Sequence, residues 1–140
     1  MVRKTEQIAA DIAAFQPNDG NWLGLEALLT ELWQVGSPQA AMPELLGVFE
    51  RFPSEDGRGV FWSILHGLES LHGYQEALMM SVRRMPSEMG VLMLGRMLNS
   101  GCADIKGVPI CDLLREAIAR PDAGSEAKTT AGDFLRRHAN

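Results

Sequence analysis

Apolar residues along this chain recur at intervals of three and four positions, and no stretch alternates with the two-residue period of a strand. The interval of three and four is the spacing of one face of an α-helix. Every periodic stretch ends at a cluster of Gly, Pro, Asn or Ser, residues that stop helices. The pattern therefore predicts an all-α protein of about eight helices and indicates no β-structure.

The predicted helices form three antiparallel pairs and two single helices. The pairs cover about residues 21–52, 57–84 and 87–120, and the capping helices cover about residues 5–15 and 126–138. The third helix is expected from about Gln39 to Phe52, with Pro43 in its first turn or at a kink. The seventh is expected over Val108 to Ala119. All 140 residues are assigned to a single helical domain.

The stretch Gly59 to Glu69, GVFWSILHGLE, carries apolar side chains on nearly every side of its predicted helix. Such a helix is usually buried among others, so we expect it to be a central core helix. The sixth helix, which contains MGVLMLGRML, shows the same pattern. The methionines that cluster in the fifth and sixth helices are expected to belong to the core.

Three segments end alike, at Pro53, Pro86 and Pro121, with aligned apolar positions before each proline. Their spacings are 33 and 35 residues. A further echo links Asp19-Gly20-Asn21-Trp22 with Asp56-Gly57-Arg58-Gly59, each of which precedes a helix. A repeated helical pair of this length is typical of an α-solenoid, so we expect HEAT-like stacked pairs, with a compact helical bundle as the alternative.

The charged residues are unevenly distributed along the chain. The net charge is -5, and between Thr5 and Glu50 there are seven acidic residues and no Lys or Arg. A negative block disfavours nucleic acid and favours a basic partner. A solvated acidic surface that aids solubility is the alternative interpretation.

The remaining composition indicates an ordinary folded protein, with 46% hydrophobic and 22% charged residues. Acidic and polar residues interrupt the N-terminal stretch, and no apolar run is long enough for a membrane span, so we expect a cytoplasmic protein with no membrane partner. Cys102 and Cys111 are expected to be free, partly buried thiols. The three histidines are scattered, and no metal site is expected.

One row of residues suggests chemistry, namely Ser63, His66 and Glu69 at three-residue intervals on one predicted helix. Side chains on a single straight helix point outward and do not converge on a substrate, so we expect no catalysis there. Gly57-Arg58-Gly59 lacks the strand and the Lys-Ser/Thr of a phosphate loop. The sequence therefore predicts a protein that is not an enzyme and that binds no cofactor.

The segments GVFWSILHGLE and PSEMGVLMLGRMLNSG together resemble small all-helical immunity proteins encoded beside bacterial polymorphic toxins, of the Rhs and contact-dependent inhibition types. The resemblance extends from about Asp19 to Gly101. It implies a cytoplasmic antidote that binds the toxic C-terminal domain of its cognate partner and occludes the active site. It brings no catalytic residues to this chain.

Outward positions on the second helix of each pair, and the loops beside them, are the candidate partner contacts. These are Glu44, Glu50, Arg51, Asp56, Arg58, Glu76, Arg83 and Glu116. The expected partner is a toxin domain with a basic surface. A non-catalytic helical scaffold or adaptor is the alternative function, whereas the pI near 5.1 argues against a nucleic-acid enzyme.

Overall fold

The computed structural model describes residues 3–139, and these contain eight α-helices. The helices are α1 (Thr5–Ala14), α2 (Leu23–Gln34), α3 (Met42–Arg51), α4 (Val60–Glu69), α5 (Tyr74–Arg84), α6 (Glu88–Asn99), α7 (Ile110–Ala119) and α8 (Ser125–His138). Short 3-10 turns at Pro38–Ala41 and Gly57–Gly59 precede α3 and α4. The predicted all-α class and the number of helices are confirmed.

A small antiparallel hairpin between α6 and α7 corrects the expectation of no β-structure. It consists of β1 (Asp104–Ile105) and β2 (Val108–Pro109). Its turn residues, Lys106 and Gly107, have φ values of 47° and 83°, the left-handed pair that joins strands of a two-residue hairpin. Two residues per strand are too few to show an alternating pattern, and the hairpin moves the start of the seventh helix from Val108 to Ile110.

The boundaries of the other helices depend on local signals that the sequence displays. Ser87 is the N-cap of α6, where its hydroxyl accepts a hydrogen bond from Gly90 N at 2.9 Å. Helix α3 begins at Met42 rather than Gln39, because the preceding four residues form a separate 3-10 turn. Pro43 is therefore the second residue of α3, where its missing N–H is not needed by the helix.

The contacts of the chain group into two compact units. Unit 1 contains the chain up to Val48 together with Asp56–Tyr74, and unit 2 contains Phe49–Glu55 together with the chain from Gln75 onward. The chain therefore passes between the units within α3, in the loop after it, and at the start of α5. That the whole chain is a single domain stays a prediction.

In unit 1, α2 packs against both α1 and α4. The fully buried side chains are aliphatic and aromatic and come from all three helices, namely Ile8, Ile12, Leu25, Leu29, Leu32, Phe61, Ile64, Leu65 and Leu68. Trp22 meets Phe61 edge to face, with the ring centroids 5.1 Å apart. The expectation that α4 is a core helix is right except at Trp62, which is 38% exposed. Trp62 follows Phe61 by one position and so points about 100° away from it around the helix.

In unit 2, α8 packs against both α6 and α7, which also contact each other. Phe134 of α8 lies against the backbone of α6 at Gly95, where a side chain would overlap its ring. The methionines differ in burial: Met93 is fully buried, whereas Met80 on α5 is 50% exposed. The prediction that these methionines belong to the core is therefore wrong for Met80, because only one face of α5 is covered.

Candidate interaction surfaces

Charge is segregated between the two units. Unit 1 carries eight carboxylates and three Lys or Arg side chains, whereas unit 2 carries ten of each. The whole formal net charge of -5 therefore belongs to unit 1. The acidic block of the sequence thus becomes an acidic unit, to which Asp56 and Glu69 from later in the chain also contribute.

Two of the acids in this block have a basic partner that precedes the block in the sequence. The Arg3 guanidinium donates to Glu31 at 2.7 and 2.9 Å and to Asp11 at 2.5 Å. The hydrogen bond from Arg3 lowers the pKa of the Glu31 carboxyl, and burial opposes this effect. The exposed carboxylates of Glu6 and Glu26 therefore represent the acidic surface better than Asp11 and Glu31 do.

The two loops that echo each other in the sequence meet at one surface groove in unit 1. This loop groove is lined by residues 19–23 and Arg58. Its backbone has unusual conformations: Asp19 has a φ of 52° and Arg58 a φ of 53°. The Asp56 carboxylate holds the second loop by accepting a hydrogen bond from Arg58 N at 2.9 Å. Leu23, at the edge of the groove, is 72% exposed.

Three of the predicted contact residues in unit 2 form bonds between neighbouring helices. Glu50 at the end of α3 accepts a hydrogen bond from Ser81 Oγ at 2.7 Å and two from Arg84 at 3.0 Å. Arg83 on α5 donates to Glu116 on α7 at 3.1 and 3.2 Å. These bonds join the second helices of the three predicted pairs, so Glu50, Arg83 and Glu116 hold neighbouring helices together.

The C-terminal end of α5 is further fixed by Arg120, which follows α7. Its guanidinium donates to the carbonyl oxygens of Arg83 at 2.6 Å and Arg84 at 3.2 Å. It also forms an ion pair with Asp122 at 2.7 Å, and the hydrogen bond from Arg120 lowers the pKa of the Asp122 carboxyl. A cation at the end of a helix meets the negative end of its dipole, so this contact stabilises α5.

Three of the remaining predicted contact residues have different local surroundings. Glu44 is half-buried in α3. Arg51 lies over the ring of Phe52 at 5.1 Å, and burial lowers its pKa. Glu76 on α5 forms an ion pair with Lys106 of the hairpin turn at 3.1 Å. Of the predicted contacts in unit 1, Arg58 lines the loop groove, and Asp56 contributes indirectly by accepting the hydrogen bond from Arg58 N.

Sequence reasoning missed the exposed Leu23 and the part played by Asp19 in the loop groove. The signal for Leu23 was present, because it is the one apolar residue of α2's first turn that departs from the spacing of the buried Leu25, Leu29 and Leu32. The signal for Asp19 was its place in the repeated loop Asp19-Gly20-Asn21-Trp22, which was interpreted as evidence of a repeat. Its conformation follows from the turn it makes with Gly20, and Asp tolerates the left-handed region better than most residues.

The Ser63, His66 and Glu69 row occupies the outer side of α4. Ser63 is half-buried, His66 is exposed, and the His66 ring is 5.9 Å from the ring of Trp62. Among residues 3–139, no group of three His, Cys, Asp or Glu side chains is placed to hold a metal ion. In the same part of the chain, no helix combines the length and apolarity needed to cross a bilayer.

Comparisons with known proteins gave no matching family model, no matching curated protein and no matching solved structure.

Proposed function

We propose that this protein is an immunity protein, which binds a cognate bacterial toxin domain through unit 1 and neutralises it by covering its active site. The observation that carries the proposal is the segregation of charge, since unit 1 holds five more negative than positive side chains and unit 2 is balanced. The resemblance of Gly59–Glu69 and residues 86–101 to helical immunity proteins agrees with it.

The electrostatic argument concerns both speed and selectivity. An acidic surface attracts a partner whose active site is basic, as in toxin domains that act on nucleic acid, and it repels nucleic acid itself. The attraction extends over roughly 8 Å at physiological ionic strength, so it guides the encounter rather than fixing the final contact. An antidote must act before its toxin does damage, and fast association serves that need.

Charge attracts a partner but provides no apolar contact, whereas the loop groove contains an exposed apolar side chain. Leu23 is 72% exposed beside a groove whose other walls include the charged Asp19 and Arg58. A few buried apolar or aromatic contacts within a polar rim carry most of the affinity of a typical interface. The groove is therefore the part of unit 1 that we assign to direct contact with the toxin.

The test of the function is growth. The neighbouring gene is inspected for a large protein with a variable C-terminal domain, and that domain is expressed in a bacterial host, with and without this protein. We expect growth arrest by the domain alone and normal growth when both are present. Continued arrest in the presence of soluble antidote, or a neighbouring gene that encodes no toxic domain, would contradict the immunity role.

The test of the surface uses a matched pair of exposed acids, each near the start of a helix. Glu26 lies in the first turn of α2 in unit 1, and Glu126 lies in the first turn of α8 in unit 2. We expect Glu26→Lys to lower the association rate several-fold and to weaken its dependence on salt, whereas Glu126→Lys should leave both unchanged. The association rates are measured by stopped-flow or surface binding. Equal effects of the two substitutions would show that unit 1 is not part of the interface.

Two further variants complete the test. Leu23→Ala should speed dissociation without altering association, because it removes an anchor and leaves the charge in place. Glu44→Lys provides a second probe of the acidic surface on another helix of unit 1. Glu50 is a poor probe, since its reversal would also break the bonds to Ser81 and Arg84.

A further inference from the structure

Both cysteines and one histidine line a single pocket in unit 2. The pocket lies where the C-terminal ends of α6 and α8 meet the base of the hairpin, and Cys102, Cys111 and His138 are among its walls. Both cysteines are half-buried and neither is in a disulfide, and Cys102 Sγ donates a weak hydrogen bond to Asp104 O at 3.3 Å. The contacts that carry the proposed toxin binding belong to unit 1, whereas every residue that lines this pocket belongs to unit 2.

The two cysteines flank the base of the hairpin. Asp104 pairs with Pro109, and Ile110 N donates to Ala103 O at 2.9 Å, so Cys102 and Cys111 are the next residues outward on the two sides of the hairpin base. Opposed residues of an antiparallel ladder have Cα atoms about 4.5–5.5 Å apart. A disulfide needs Cα atoms about 4.4–6.8 Å apart. Cys111 belongs to the first turn of α7 and lines the same pocket as Cys102.

The imidazole in this pocket is held in one orientation. His138 Nε2 lies 2.8 Å from Asn99 Oδ1. Because an amide oxygen only accepts hydrogen bonds, this contact assigns the proton to Nε2 and leaves Nδ1 as the basic nitrogen. Two thiols and an oriented base in one accessible pocket are the components of a thiol–disulfide exchange site.

We propose that Cys102 and Cys111 form a dithiol site that reduces small disulfides and is itself converted to a reversible internal disulfide. His138 takes the proton of one thiol, and the thiolate attacks a sulfur of the small disulfide. A mixed disulfide forms, and one small thiolate leaves and takes up a proton. The second cysteine then attacks the protein sulfur of the mixed disulfide, releases the second small thiol and closes the Cys102–Cys111 bond. One small disulfide is reduced to two thiols for each protein dithiol oxidised.

The test uses the full chain, reduced and freed of reductant, and oxidised glutathione as the probe. By mass spectrometry we expect a product lighter by two hydrogens and without bound glutathione. Its peptide map should join Cys102 to Cys111, and dithiothreitol should reverse the change. The product of Cys102→Ser, and equally that of Cys111→Ser, should retain one glutathione. Serine is close to cysteine in size, and far-UV circular dichroism checks that each variant is folded.

Several results obtained with the wild-type protein alone would overturn the proposal. They are stable attachment of glutathione to either cysteine, a dimer joined by disulfides, or no reaction of the folded chain under conditions in which the urea-unfolded chain reacts. For the base, His138→Gln should slow mixed-disulfide formation at neutral pH but not at a pH that ionises thiols without help. Equal rates of wild type and variant at both pH values would show that His138 does not act as the base.

Discussion

Gly95→Ala is the substitution whose effect the structure specifies most sharply. Gly95 is a buried residue in the middle of α6, and the ring of Phe134 from α8 lies where an alanine methyl group would be. The ring is itself 6% exposed and surrounded by the core of unit 2, so it has little room to move. We therefore expect the methyl group to push α6 and α8 apart locally and to destabilise the protein.

The magnitude follows from two opposing terms. Overpacking a well-packed core costs about 1–3 kcal/mol. Alanine is favoured over glycine within a helix by about 1 kcal/mol, which offsets part of that cost. The net loss of unfolding free energy should therefore reach up to about 2 kcal/mol.

Gly132→Ala is the matched control, because Gly132 also lies inside a helix of unit 2. Its added methyl group would meet only Arg136 Nη1, at an ordinary 3.6 Å. Both variants gain the same helix preference, so the difference between them isolates the clash with Phe134, about 1–3 kcal/mol. Gly132→Ala alone should stabilise the protein by about 0.5–1 kcal/mol.

Urea unfolding followed by far-UV circular dichroism measures both variants, with the slope against urea checked for constancy. The double variant Gly95→Ala with Phe134→Leu should lose less than the two single losses combined, since the smaller side chain makes room for the methyl group. If Gly95→Ala is as stabilising as Gly132→Ala, the close approach of Phe134 to α6 does not exist and the packing of unit 2 described above is wrong.

Two further predictions concern unit 1. Gly57 and Gly59 both have positive φ, at 60° and 91°, but only at Gly57 would a Cβ meet a neighbour, Phe61 Cδ1 at 2.6 Å. Gly57→Ala should therefore lose about 1–3 kcal/mol more in urea unfolding than Gly59→Ala, and equal losses would contradict the contact. Arg3 lowers the pKa of Glu31, so this carboxylate stabilises the fold at pH values above its unfolded pKa and loses that effect as the pH falls through its folded pKa. Glu31→Gln should accordingly flatten the loss of stability in acid, and an unchanged acid profile would argue against the ion pair.

The sequence determined the elements that depend on local interactions. Helix periodicity and stop signals are written within about four residues of each position, so the all-α class and eight helices could be predicted. The N-cap at Ser87 is an example, because its hydroxyl bonds the backbone only three residues away. The echo between the two loops before α2 and α4 was also visible, but it was interpreted as part of a repeat, and the structure shows that both loops contribute to one groove.

The tertiary structure decided which residues of those elements become surface and which acquire partners. Glu50 and Arg84 are 34 residues apart and Arg3 and Glu31 are 28 apart, and no local pattern predicts such pairs. The exposure of Trp62 likewise depends on which helices cover α4, not on the apolar character of the helix itself.

The distribution of function-bearing groups was settled in the same way. The sequence supplied the net charge and the two cysteines, but only the fold collects the whole charge excess in one unit and both thiols in one pocket. Charges act through space and thiol exchange needs sulfur atoms in contact, so both depend on which residues the fold brings together. For this protein, local periodicity therefore determined the helices, and long-range packing determined the surfaces with which they can act.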